Sequence, residues 1–361
     1  MSEYLSRLKG KRIAMVINQA SVVGDKLLVD SLVALKINVK KIFAPEHGFR
    51  GDVEAGGNVA NTMDKKTGLP VISLYGDHKK PSSADMSDID LVIYDIQDVG
   101  VRFFTYISTL HYVMEACSEN KKELIVLDRP DPNGFYVDGP VLEKQFSSFV
   151  GMDPVPIVYG MTVGEYAQML NGEGWLAKGE KCDLTVIKVE NYSHKNQYNI
   201  KIPPSPNLKT MAAIYLYPSL GLFEGTNVSV GRGTDMPFEV VGKPGFKQSD
   251  TEFVPHSMPG KADDPMYKGL TCRGVKLTRF ANDFIKSSNE VYLFWLTGFY
   301  KDETDKDHFF TPFFDKLAGT DQLRKQIQDG LTPEQIRKSW KPALDNFRKI
   351  RAKYLLYEDF S

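Results

Sequence analysis

Cysteine is scarce: Cys117, Cys182 and Cys272 are the only three in 361 residues, far apart and without a CxxC pair. Disulfide scaffolds and structural zinc sites need closely spaced ligands, so three buried thiols are expected. Long apolar runs are also missing. None approaches the ~20 residues of a membrane-spanning helix, and Met1 to Gly10 has no apolar signal core. Neither a membrane span nor an export signal is therefore expected in the chain as given, and its compartment stays open. Nor does one sign of charge dominate. There are 45 basic and 46 acidic residues, and the doublets Lys65-Lys66, Lys79-Lys80 and Lys121-Lys122 are scattered, which argues against a nucleic-acid partner.

Several signatures of catalysis are absent too. The turn after the first expected strand, Gln19 to Gly24, has no GxGxxG, and no Walker A sequence occurs. Without such glycines a backbone cannot approach a pyrophosphate closely, so no nucleotide cofactor is expected. No GxSxG turn supports a serine hydrolase. Glu46 and His47 are adjacent, but neighbours in an extended segment point to opposite sides, and no HExxH fixes two ligands on one face; no metal is expected.

The ordinary balance of 42% apolar and 25% charged residues fits a globular protein, and the length suits two cores better than one. Through the first 130 residues short β-branched runs alternate with helical patterns, the mark of βαβ units and a parallel sheet. Strands are expected at Arg12–Asn18, Val39–Ala44, Pro70–Leu74, Leu91–Asp95 and Glu123–Asp128, with helices at Asp25–Leu35 and Phe103–Glu119. After Pro130, Pro, Gly and Asn become dense. The expectation is an α/β fold: a Rossmann-like parallel layer over residues 1–145, then a smaller α+β domain over 146–361, with a cleft between them. In the second part a helix capped by Thr162, strands at Leu184–Val189 and Gly274–Thr278, and helices at Phe284–Phe299, Gln322–Gln328 and Pro333–Tyr354 are expected.

Ligands of an open parallel sheet sit beyond the carboxyl ends of its strands. Those ends are polar here: Asn18-Gln19, then Pro45 to Asp52, then Asp95 to Arg102 with Gln97 and Asp98, then Asp128-Arg129. Carboxylates are what the segments share. Glycoside hydrolysis needs a proton donor at the leaving oxygen and usually a second carboxylate ~5 to 9 Å away, and Glu46, Asp95, Asp98 and Asp128 offer both roles. Glu46 stands out because Pro45 stiffens one side of it and Gly48 permits a bend on the other. Further along, Asn207, Glu224-Gly225-Thr226-Asn227 and Arg232 place polar groups beside glycine and proline, as a sugar site requires.

These segments, in order, resemble the NamZ-type exo-β-N-acetylmuramidases, a family long catalogued as a domain of unknown function. The likeness is carried by Ala44 to Gly51 (APEHGFRG), Asp95 to Phe103 (DIQDVGVRF), Leu127 to Pro130, Asp138 to Leu142, Gly160 to Glu165, Pro203 to Asn207 and Leu222 to Asn227, and it extends from about Leu5 to the last helix. It implies release of terminal β-linked N-acetylmuramic acid from peptidoglycan fragments in cell-wall recycling, a small saccharide as partner, and Glu46 as the catalytic glutamate. Many members carry an export signal. Glu46 is read as general acid/base, with Asp95 or Asp98 acting on water or on the substrate's 2-acetamido group. Arginine forks suit a carboxylate, so Arg50, Arg102 and Arg232 are candidates for the lactyl group of the muramic sugar. Asn18, Gln19, His47, Gln97, Asp128, Arg129, Asn207, Glu224, Thr226 and Asn227 complete the expected binding set. A metal-dependent amidase or esterase on wall fragments and a non-catalytic sugar-binding protein are the competing classes.

Overall fold

Five apolar runs near the start of the chain form the centre of the molecule. The structure, a computed structural model, describes residues 2–46, 48–49 and 62–360. Its main sheet has seven strands: β1 (Ile13–Ile17), β2 (Val39–Ala44), β3 (Thr62–Met63), β4 (Pro70–Ser73), β5 (Leu91–Asp95), β6 (Glu123–Leu127) and β7 (Asp183–Ile187). The order is β3-β4-β2-β1-β5-β6-β7, with every pairing parallel except β3 against β4. The chain builds outward from β1 to one side, then returns to build from β5 on the other. The switch point therefore lies between β1 and β5, where Ile17 stands opposite Asp95.

Both faces of these strands are buried, which is why the runs are almost continuously apolar. Ile13, Met15, Ile17, Leu91 and Ile93 pack on one face against Tyr4, Leu8, Leu28, Val29 and Leu32. Ala14, Val16, Val92, Tyr94 and Leu124 face the other way. There they meet helix Tyr106–Glu119 through Ile107, Leu110, Val113 and Met114, and the same cluster continues to Phe223, Phe299 and Phe347 near the end of the chain. Each large side chain so buried contributes ~1.5 to 3 kcal/mol relative to exposure.

The second part carries its own sheet, β8 (Val240–Lys243), β9 (Thr251–Phe253) and β10 (Cys272–Lys276), antiparallel in the order β8-β10-β9. The capping box at Thr162 forms as expected, with Glu165 three residues on, and a second box, Thr332 with Gln335, starts helix Pro333–Arg351.

Three expectations are corrected. Strand β7 lies well beyond residue 145 and yet completes the first sheet beside β6. The helix expected at Asp25–Leu35 begins at Leu28, because Lys26–Leu27 pairs with Val22–Val23 in a hairpin around Gly24, whose φ is 60°. The single helix expected at Phe284–Phe299 is broken: Asn289 adopts a left-handed conformation at φ 53°, and the helix after it runs Phe294–Asp302. Ser287-Ser288-Asn289 offers side chains that compete for backbone hydrogen bonds, which outweighs the apolar pattern around it.

Candidate active site

The turn after β2 fixes an acid at the sheet's carboxyl edge. Gly48 N–H donates to Pro45 C=O at 3.0 Å, and Gly48 takes a φ of 74° that most residues avoid. Between them Glu46 is held 9% exposed. Thr105, the residue before helix Tyr106–Glu119, donates its hydroxyl to Glu46 Oε2 at 2.6 Å. The Tyr75 phenol also hydrogen-bonds Glu46; burial first, and the neighbouring carboxylate second, push its pKa above the ordinary value.

Glu46 faces a cleft of about 410 Å³, within the ~300 to 1,000 Å³ usual for ligand sites. One wall follows the ends of β4 and β5: Tyr75 and Lys79 from the first, Phe103, Phe104 and Thr105 from the second. A second part of the lining comes from the later half of the chain, with Tyr217, Glu224, Arg232 and Phe238. Phe149 and Val150, Ser205 and Leu208, and Phe313 and Leu317 close the ends. Aromatic edges tie the walls together: Phe103 to Tyr217 at 5.2 Å, Phe104 to Tyr217 at 5.9 Å and Tyr217 to Phe238 at 4.9 Å between ring centres. Gly221 permits this approach, since a Cβ there would lie 2.3 Å from the Phe103 ring. Arg232 Nε donates to Glu224 Oε1 at 2.7 Å, with its guanidinium 5.0 Å over the Phe238 ring.

Of the expected site residues, Glu46, Glu224 and Arg232 line this cleft. His47 and Arg50 lie outside the described residues. Asp95 does not join the cleft. It continues the Leu91–Ile93 face of β5 and accepts Arg129 Nε at 2.6 Å, in a separate hollow with Tyr4 and Leu28. Asp98 is sealed in the interior, bound by the Tyr159 hydroxyl and by Gly100 N–H at 2.8 Å. Burial raises its pKa to about 6, against the opposing pull of those donors. Arg102 is wholly buried, and its four hydrogen bonds of 2.7 to 2.9 Å go to the carbonyls of Pro140, Val155, Leu317 and Ala318. It ties together the carbonyls of three separate segments; burial lowers its pKa to about 9.

The remaining candidates are also committed to the framework. Asp128 accepts Thr162, Gly164 N–H and Tyr357 at 2.6 to 2.8 Å, with burial raising its pKa to about 6. Asn18 caps its own turn through Ala20 N–H, Gln19 donates to Pro203 C=O, and Gln97 donates to Pro130 C=O. Asn207 donates to Lys261 C=O, Thr226 to Phe223 C=O, and Asn227 to Glu303. The sequence reading missed the aromatic wall, Thr105 and Lys79. Phe103-Phe104-Thr105 directly after Arg102 was the available signal, since aromatic residues at a polar strand end suit a sugar face. Among the described residues no three His, Cys, Asp or Glu side chains cluster as a metal would require.

A parallel sheet with a switch point, and a cleft that joins two carboxylates to an aromatic wall, make an α/β architecture with the groups that cleavage of a glycosidic bond uses. The chain belongs to the NamZ family of exo-β-N-acetylmuramidases: the family's N-terminal model matches residues 13–212 and its C-terminal model residues 215–357. It is 40% identical to the peptidoglycan β-N-acetylmuramidase NamZ of Bacillus subtilis (strain 168), over 99% of this chain and 89% of that one. It also resembles two crystal structures of DUF1343 family proteins from Bacteroides fragilis NCTC 9343. One has a TM-score of 0.92 at 46% identity, the other 0.84 at 31%, each covering 99% of this chain and 97% of its own.

Proposed function

We infer that this protein is a glycosidase that releases terminal β-linked N-acetylmuramic acid from peptidoglycan fragments, with Glu46 as general acid/base. One observation carries the assignment: the Glu46 carboxylate is hydrogen-bonded by Thr105 at 2.6 Å and borders a cleft that Glu224 also lines. The proton goes from Glu46 to the bridging oxygen as the bond to the anomeric carbon breaks. Glu224 then replaces Asp95 and Asp98 as the second carboxylate, because it shares the cleft with Glu46. Held by Arg232, it orients the nucleophile, either water or the substrate's own acetamido oxygen. The aromatic wall supplies a face for the apolar side of a sugar ring.

Incubation with the disaccharide of N-acetylmuramic acid and N-acetylglucosamine, followed by mass analysis, tests this reading. Two free monosaccharides are expected from the wild type, and a loss of at least ~10³-fold in rate from Glu46→Gln. Near-normal turnover by Glu46→Gln would remove Glu46 from the role. Release of a lactyl or amide product, abolished by a chelator, would favour the amidase or esterase class instead.

A further inference from the structure

Among the described residues two cations line the cleft, in different situations. Arg232 is committed, with Glu224 on its Nε at 2.7 Å and the Phe238 ring beneath it. Lys79 meets no carboxylate among the described residues; its ammonium lies 5.4 Å from the centre of the Phe149 ring. The residues on either side of it stand beside carboxylates, and Lys80 is hydrogen-bonded to two of them. His78 Nε2 lies 3.0 Å from Asp85, and Lys80 reaches Glu115 at 2.9 Å and Glu119 at 2.7 Å. Lys79 is therefore set on an anchored segment while its own charge faces the cleft.

Phe149 connects this cation to the acid. Its ring is stacked with Tyr112 at 6.2 Å and lies 6.0 Å from Tyr75, whose hydroxyl is on Glu46. A sugar resting against Tyr75 and Phe149 would have Glu46 on one side and an ammonium on the other. We propose that Lys79, seated over Phe149, recognises a carboxylate carried by the substrate sugar, the lactyl group of a muramic residue. The proposal rests on the glycosidase reading and deepens it.

Charge balance is the argument. Among the described residues the cleft's acids are Glu46 and Glu224, and Arg232 already offsets the second. An anionic sugar that recruited Arg232 would leave Glu224 uncompensated beside it, a costly arrangement in a part-enclosed site. Lys79 offers the missing positive charge without breaking a pair. An aromatic face holds an ammonium without neutralising it. A compact charge on a flexible stem also tolerates the rotatable ether link of a lactyl group better than a fixed fork does.

Calorimetric binding of N-acetylmuramic acid and of its lactyl amide to wild type, Lys79→Gln and Arg232→Gln tests the idea independently of turnover. The wild type is expected to bind the acid ~10- to 100-fold more tightly than the amide. Lys79→Gln is expected to lose that difference by weakening the acid alone, with Lys79→Arg restoring part of it. Equal affinities in Lys79→Gln and wild type, or a selective loss in Arg232→Gln instead, would overturn the assignment. Disaccharide cleavage measured beside it separates the two readings: cleavage with an indifferent Lys79 sinks only this proposal, and absence of cleavage sinks the glycosidase reading.

Discussion

The Thr105 hydroxyl donates to Glu46 Oε2 at 2.6 Å, at the border of the cleft. The two residues are 59 positions apart, brought together because one lies in the turn after β2 and the other immediately precedes the helix after β5. Hydrogen bonds to charged groups are worth ~1.5 to 3 kcal/mol, so Thr105→Val is expected to lower kcat ~10- to 100-fold. KM should change little, because Thr105 positions the acid rather than the sugar. Thr105→Ser should keep most of the rate; an equal loss in both variants, or a loss confined to KM, would argue against positioning.

The second carboxylate can be identified by comparing three amide substitutions. Glu224→Gln is expected to lower kcat by ~100-fold or more. Asp95→Asn and Asp98→Asn should stay within about threefold of wild type, because Asp95 faces Arg129 on the far side of the sheet and Asp98 faces Tyr159 in the interior. Steady-state kinetics on a chromogenic β-N-acetylmuraminide would decide it. A collapse in Asp95→Asn with Glu224→Gln unaffected would return the role to the sheet edge.

Arg102 is expected to matter for stability and not for recognition. Its guanidinium is the hub for four carbonyls, and a Cβ at Gly319 would lie 2.6 Å from its Nη2, so nothing larger than glycine fits there. Each buried carbonyl left without a donor costs ~1 to 3 kcal/mol. Arg102→Met should therefore lower unfolding free energy by ~3 kcal/mol or more in urea titration, and Arg102→Lys by nearly as much. Folded variant protein should retain the wild-type preference for the carboxylate sugar; loss of that preference at full stability would reinstate Arg102 as a substrate contact.

Where the structure puts these residues shows what a sequence does and does not disclose. The parallel layer was legible because strands buried on both faces read as apolar runs, and the Thr162 box because capping is local. Glu46 was legible for a similar reason: proline and glycine on either side constrain its turn without help from distant residues. Asp95 carried its own correction, since strand alternation puts 91, 93 and 95 on one face, away from the side that Val92 and Tyr94 share. Arg102 could not be placed, because a guanidinium held by carbonyls from residues 140, 155, 317 and 318 has the same sequence context as one in a site. Lys79 and Phe149 meet across 70 positions and no local pattern announces it.

A buried ionic network away from the cleft should make stability depend on pH. His111 Nδ1 lies 3.0 Å from Asp153 and its Nε2 3.2 Å from Glu115, which also holds Lys80 and Ala177 N–H. Burial alone would lower the imidazole's pKa, but hydrogen bonds to Asp153 and Glu115 outweigh it and raise it to about 9. Glu115 is pushed up by burial and pulled down further by His111, Lys80 and Ala177, to about 2. A histidine raised from 6.5 to about 9 in the folded state contributes its stability fully below pH 6.5 and loses it as pH rises through 9. The contribution is on the order of 3 kcal/mol. Unfolding free energies of wild type and His111→Gln, measured from pH 5 to 10, should differ most at the acid end and converge above pH 9. A gap that stays constant over that range would mean that His111 is neutral in the fold and that Asp153 is held by Tyr166 alone, whose hydroxyl donates to it at 2.8 Å.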